Sequence, residues 1–130
     1  MRHLLLAALL VWSAAATAAP DDEFTTRVTQ AKLNEGSLTG PDYQKKLWAK
    51  IGNPTTDALK ACIASIPNAN KAPFTLVADV QKNGSLTRVE VRPTTDVATC
   101  LMGKFATWTV PPPPESPVPY PIEVDFTITP

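Results

Sequence analysis

The apolar residues of this chain change their spacing as it proceeds, and each change marks an element. Leu4 to Trp12 is an uninterrupted apolar run, followed by small residues from Ser13 to Ala19. Phe24, Val28 and Ala31 then recur at helical spacing and predict a short, loosely held helix that ends at Glu35-Gly36-Ser37. Thr39-Gly40-Pro41-Asp42 is a helix start, with proline in the first turn and an acid placed against the dipole. Tyr43, Leu47, Trp48 and Ile51 form one apolar face of that helix, which is expected to end at Gly52-Asn53. Asn53-Pro54 reads as the cap and first turn of a further helix. Its buried stripe is Leu59, Cys62, Ile63 and Ile66, and Pro67 closes it.

From Pro73 the period becomes two. Phe74, Leu76, Ala78 and Val80 share one face of a strand, and Lys82-Asn83-Gly84-Ser85 is a hairpin turn in which Asn-Gly accepts positive φ. On the return strand, Leu86 to Arg92, alternation groups Thr87, Val89 and Val91 on one face and Leu86, Arg88 and Glu90 on the other. The hairpin is expected to have a covered side and a wet side. Thr94-Thr95-Asp96 caps a helix whose apolar face runs from Val97 through Cys100, Leu101 and Phe105 to Trp108. A proline-dense connector, Pro111 to Pro121, is expected to be extended. Ile122, Val124, Phe126 and Ile128 then alternate with Glu123, Asp125, Thr127 and Thr129 in a half-buried strand. The fold class is α+β: a three-stranded antiparallel sheet packed by helices, with extra N-terminal helices.

The first segment changes the picture of where the protein works. Met1-Arg2-His3, the apolar run and Ala-Thr-Ala-Ala have the three-part order of a secretory signal peptide. The run is too short to span a bilayer as a stable helix. Cleavage is expected after Ala18 or Ala19, and no cysteine follows closely to carry a lipid. Residues 1–19 are thus the signal, and their removal from 130 residues leaves 111, enough for one modest domain. The localisation expected is periplasmic or secreted, without stable membrane insertion after cleavage. Loss of Arg2 leaves 11 basic against 12 acidic side chains, a balance that gives no electrostatic reason to bind nucleic acid.

His3 is the sole histidine, so the mature chain has none. Nucleophilic triads need an imidazole and zinc sites draw on histidine and cysteine, so neither catalysis, a metal nor a cofactor is expected. The two cysteines, Cys62 and Cys100, make an even count in an exported chain. Each falls on the apolar face of a helix, which predicts one structural disulfide.

The segment from Leu59 to Pro130 resembles the C-terminal domains of TonB and TolA, the periplasmic ends of bacterial energy-transducing proteins. The resemblance rests on several short sequences in order. These are Leu59-Lys60-Ala61-Cys62, Lys82-Asn83-Gly84-Ser85-Leu86 with the returning Val89-Glu90-Val91, and Cys100 eight residues before Trp108-Thr109-Val110-Pro111-Pro112, with an alternating last strand. It divides the chain into an N-terminal helical extension, 20–58, and a TonB/TolA-like domain, 59–130. TonB and TolA carry a membrane anchor and a long spacer where this chain has a cleavable signal and helices. The resemblance therefore implies a fold and a style of binding, not energy transduction.

In that family partners add a strand to a free sheet edge. The function expected is a periplasmic protein-interaction module whose partner is another envelope protein. Its docking strand would be Ile122, Glu123, Val124, Asp125, Phe126, Thr127 and Ile128, with the apolar side chains as core and the backbone edge as the binding element. An alternative is an inhibitor or immunity protein presenting the Pro111–Pro121 loop around Glu115. A pocket lined by Tyr43, Trp48, Phe105 and Trp108 is a third reading, although aromatics at this spacing read better as core. The N-terminal helices are expected either to cover the second face of the sheet or to occupy its edge.

Overall fold

Six elements make up the computed structural model, which describes residues 20–129 with side chains from Glu23 onward. The signal-peptide reading of residues 1–19 and its cleavage position lie outside the described residues. In order, the elements are α1 (Pro20–Glu35), α2 (Gly40–Ser65), β1 (Phe74–Val80), β2 (Leu86–Arg92), α3 (Asp96–Phe105) and β3 (Tyr120–Phe126). The sheet is antiparallel with strand order β2-β1-β3, so the α+β class with three strands is observed. Among the described residues, no helix is long and apolar enough to cross a membrane.

The two helices expected on either side of Gly52-Asn53 are one. α2 runs through Pro54, because the hydrogen bond that proline forfeits would have gone to the carbonyl of Lys50. Lys50 and Pro54 both lie on the solvent side, where the freed carbonyl is open to solvent and not stranded in the core. α2 also crosses position 58/59, and Tyr43, Leu47, Ile51 and Cys62 enter one core cluster from either side of it. Trp48 departs from the predicted apolar face and is 41% exposed. α3 starts as expected, with the Thr95 hydroxyl accepting from Ala98 N at 3.1 Å. It stops at Phe105, and Trp108 folds back onto that ring with centroids 4.6 Å apart.

The hairpin turn depends on Gly84, whose φ is +85°; a Cβ there would overlap the Val110 carbonyl, to which this corner is stitched by Val110 N donating to Gly84 O at 2.8 Å. Alternation on β2 fails midway. Val77 pairs with Glu90 and Asp79 pairs with Thr87, so Arg88 and Val89 together face Ala78, and Arg88 takes φ +50° in this bulge. The bulge puts Leu86 and Val91 both on the core side, and Thr87 and Glu90 both on the other. The connector is not uniformly extended; it contains cis bonds at Ser116-Pro117 and Val118-Pro119 and bends over residues 115–119.

One face of the sheet meets α2 and α3. Leu76, Ala78, Val80, Tyr120 and Ile122 pack there with Leu47, Val97, Leu101 and Phe105. Cys62 on α2 is bonded to Cys100 on α3, with Cα atoms 5.9 Å apart, so the predicted disulfide ties the two helices together. The second face is not wet. α1 lies across it through Phe24, Arg27, Ala31 and Asn34, so Val77 and Asp79 of β1 are buried as well. α1 is thus a docked helix rather than a loosely held one. Its turn into α2 takes the chain from one face of the sheet to the other beside Tyr120 and Pro121. That turn is tight enough that a Cβ on Gly40 would overlap the carbonyls of Asn34 and Glu35.

Candidate functional site: the outer edge of β3

A three-stranded sheet has two edges, and here they differ. The β2 edge is bent by the bulge at Arg88, a device that spoils pairing with a further strand. β3 is regular: seven consecutive pairs, from Phe74↔Phe126 to Val80↔Tyr120, run without a register shift.

Proline at 121 fixes which backbone groups β3 turns outward. Pro121 has no N–H, so its pair with Asp79 is one that exchanges no hydrogen bonds, and its carbonyl is free to accept from Asn34 Nδ2 at 3.0 Å on the α1 side. By the two-residue period of the ladder, Ile122, Val124 and Phe126 bond to β1. The N–H and C=O groups of Glu123 and Asp125 then point away from the sheet. The edge is therefore closed at its Pro121 end by α1 and open from Glu123 onward.

The side chains of those two residues face α1. Lys32 Nζ bridges them, 3.1 Å from Glu123 Oε1 and 3.2 Å from Asp125 Oδ2. The Thr75 hydroxyl donates to Asp125 Oδ1 at 2.7 Å, and this bond, with Lys32, holds the Asp125 carboxyl below its ordinary value. Glu123 behaves oppositely. Its side chain is only 7% exposed, and burial together with the neighbouring Glu35 carboxyl pushes it up to about 7, against the pull of Lys32. The rest of α1 is held by Arg27, which donates to Asp79 Oδ1 at 3.0 Å, Glu90 Oε1 at 3.2 Å and the Arg88 carbonyl at 2.8 Å. Arg88 completes this cluster with contacts to Asp79 and Glu23. The Arg92 guanidinium lies over the Phe24 ring, 5.4 Å from its centroid.

Beside the open part of the edge runs a groove of about 420 Å³ between α2 and the end of β3. Trp48, Thr55, Leu59 and Ile63 line one wall, and Phe126 and Ile128 the other. The Thr55 hydroxyl, on a residue 6% exposed, has no hydrogen-bond partner among protein groups.

The docking strand expected from sequence is divided by the structure. Ile122, Val124 and Phe126 are core, and the Phe126 ring stacks on Phe74 at 4.7 Å. Glu123 and Asp125 carry the outward backbone. Thr127 and Ile128 fall beyond the strand, which ends at Phe126; Thr127 is exposed and Ile128 is half-buried in the groove wall. Of the proposed pocket aromatics, Tyr43 and Phe105 are core and do not share a cavity with Trp48. Burial raises the Tyr43 hydroxyl's pKa, and that hydroxyl donates to Pro111 O at 2.9 Å. Sequence reasoning missed Arg27, Glu35 and Thr55. The polar stripe Arg27, Asn34 completing Phe24 and Ala31 at helical spacing was the only available signal.

No protein-family model, curated protein or solved structure matches this chain.

Proposed function

We propose that this protein is an extracytoplasmic interaction module that accepts an extended segment of another envelope protein as a fourth strand on β3. The carrying observation is the asymmetry of the sheet: one edge is bulged, while the other is regular, open from Glu123, and adjoins an apolar groove. Main-chain hydrogen bonds along Glu123 and Asp125 supply affinity, and the groove takes alternate side chains of the incoming strand. Trp48 supports this reading, since it stands exposed on the groove wall while Tyr43, Leu47 and Ile51 of the same helix are buried. The element order from Phe74 onward also agrees with the resemblance to TonB and TolA C-terminal domains. The rival loop-presenting reading is weakened because the chain is packed into the domain where the connector begins, with Val110 just before it buried and Pro111 held by Tyr43.

The test exploits the direction of the Asp125 N–H. Asp125→Pro removes an outward donor and leaves the β1 ladder whole, as proline does on edge strands. Asp125→Ala removes the same side-chain bonds but keeps the N–H. With a partner recovered by affinity purification from the cell envelope, Asp125→Pro is expected to bind about tenfold or more weaker than Asp125→Ala, one lost hydrogen bond plus steric exclusion of the neighbouring strand. Equal binding by the two folded variants refutes strand addition.

A further inference from the structure

The open stretch of the β3 edge has two unlike sides. Toward α2, Val124 and Phe126 meet the groove with Leu59, Ile63 and the exposed Trp48. Toward α1 stand Glu123 and Asp125, bridged by Lys32, so that two carboxylates share one ammonium. Asp125 is the accessible member of the pair, with its side chain 59% exposed against 7% for Glu123. Its oxygens accept one hydrogen bond each, from Thr75 and from Lys32, and a carboxylate oxygen has room for a second.

A second copy of the chain is a poor occupant of this edge. Two β3 strands that pair antiparallel through the outward groups of residues 123 and 125 set Glu123 against Asp125, or each acid against its own copy. Like charges directly opposite one another destabilise a strand pair, and opposite charges stabilise it. The edge therefore repels itself and suits a strand that brings a cation.

We infer, resting on the strand-addition reading, that the fourth strand is a segment in which lysine or arginine alternates with apolar residues, its basic side chains lying beside Asp125 on the α1 side and its apolar ones entering the groove. The two kinds are kept to their own sides. A base turned toward the groove would meet apolar walls and Lys60, an exposed residue of the groove lining. An acid turned toward α1 would meet Asp125. Period-two alternation in the partner matches the two unlike sides of the edge, with main-chain hydrogen bonds between them.

Short peptides that alternate valine with lysine, with threonine or with glutamate serve as probes. Their binding to the disulfide-bonded mature protein is titrated at pH 8, where Glu123 and Asp125 are both ionised. The lysine peptide is expected to bind about fivefold or more tighter than the glutamate peptide, with the threonine peptide between them. Asp125→Lys should reverse that order. Equal affinities, no binding of the lysine peptide, or an order that Asp125→Lys leaves unchanged overturns the charge selection. The threonine peptide separates this failure from that of strand addition. If Asp125→Ala retains that peptide and Asp125→Pro loses it while the three peptides bind wild type alike, strand addition stands and the charge selection falls. If Asp125→Pro and Asp125→Ala bind alike, both fall. Sedimentation of the wild type is expected to give a monomer; a dimer that Asp125→Pro dissociates assigns the edge to a second copy and overturns the inference.

Discussion

Replacing Arg27 with methionine should show how much of the molecule hangs on one polar contact. Arg27 is 7% exposed, and its guanidinium meets Asp79, Glu90 and the Arg88 carbonyl. Glu90 is partly exposed and can turn to water, but the Asp79 side chain is 3% exposed and cannot. Without Arg27, Asp79 keeps only Arg88 among the described residues, 3.5 Å away. Breaking a buried pair from one side costs about 3–5 kcal/mol. The residual Arg88 contact puts Arg27→Met near the lower end, about 3 kcal/mol, a large share of the roughly 5–15 kcal/mol that holds a domain of this kind together. Removing both charges should be far milder, since an apolar pair has nothing to desolvate. The double variant Arg27→Met/Asp79→Val is expected to recover about 2 kcal/mol or more of that loss. Urea unfolding at pH 7 with the disulfide intact measures all three proteins, and the midpoint comparison at constant slope gives the differences. If Arg27→Met costs less than about 1 kcal/mol, or if the double variant is no more stable than the single, the buried pair is not what fastens α1 to the sheet.

Replacing both Cys62 and Cys100 with serine opens a covalent loop spanning a sequence separation of 38. The expected loss is about 2–5 kcal/mol, read as a lower unfolding midpoint, and an unchanged midpoint would argue against a bonded pair. Glu123→Gln should stabilise the protein relative to wild type at pH 8 by about 1 kcal/mol or more, with the advantage shrinking toward pH 5, because the wild type alone must carry a buried charge above about 7. A pH-independent difference between the two thermal denaturation curves would contradict this.

Much of the fold could be read from local pattern. Phe74 to Val80 and Leu86 to Arg92 alternate around Asn-Gly, and Thr95 caps α3 with its own hydroxyl, so both elements lie where the residues place them. The disulfide followed from two inward-facing cysteines. What escaped were decisions made by distant partners. Arg27 looks like a surface residue until Asp79 and Glu90, more than fifty positions away, surround it. The same contacts explain the bulge at Arg88, which presents a carbonyl to Arg27 and so disrupts an alternation that the sequence displays intact. Pro54 carries the local signature of a helix start, because the preference that places proline in the first turn takes no account of whether the orphaned carbonyl is wet. At the site, alternation correctly put Ile122, Val124 and Phe126 inward, but the outward backbone of Glu123 and Asp125 depends on register with β1. The proximity of Glu35 to Glu123 depends in turn on how α1 crosses the sheet.

The most direct measurement is residue-resolved amide exchange along β3, free and with any partner recovered under the strand-addition proposal bound. In the free protein, the Glu123 and Asp125 amides should exchange rapidly while those of Ile122, Val124 and Phe126 are protected, and partner binding should protect Asp125 in particular. Contradiction would come from Asp125 being as protected as Val124 in the free monomer, or from its amide remaining fast in a saturated complex.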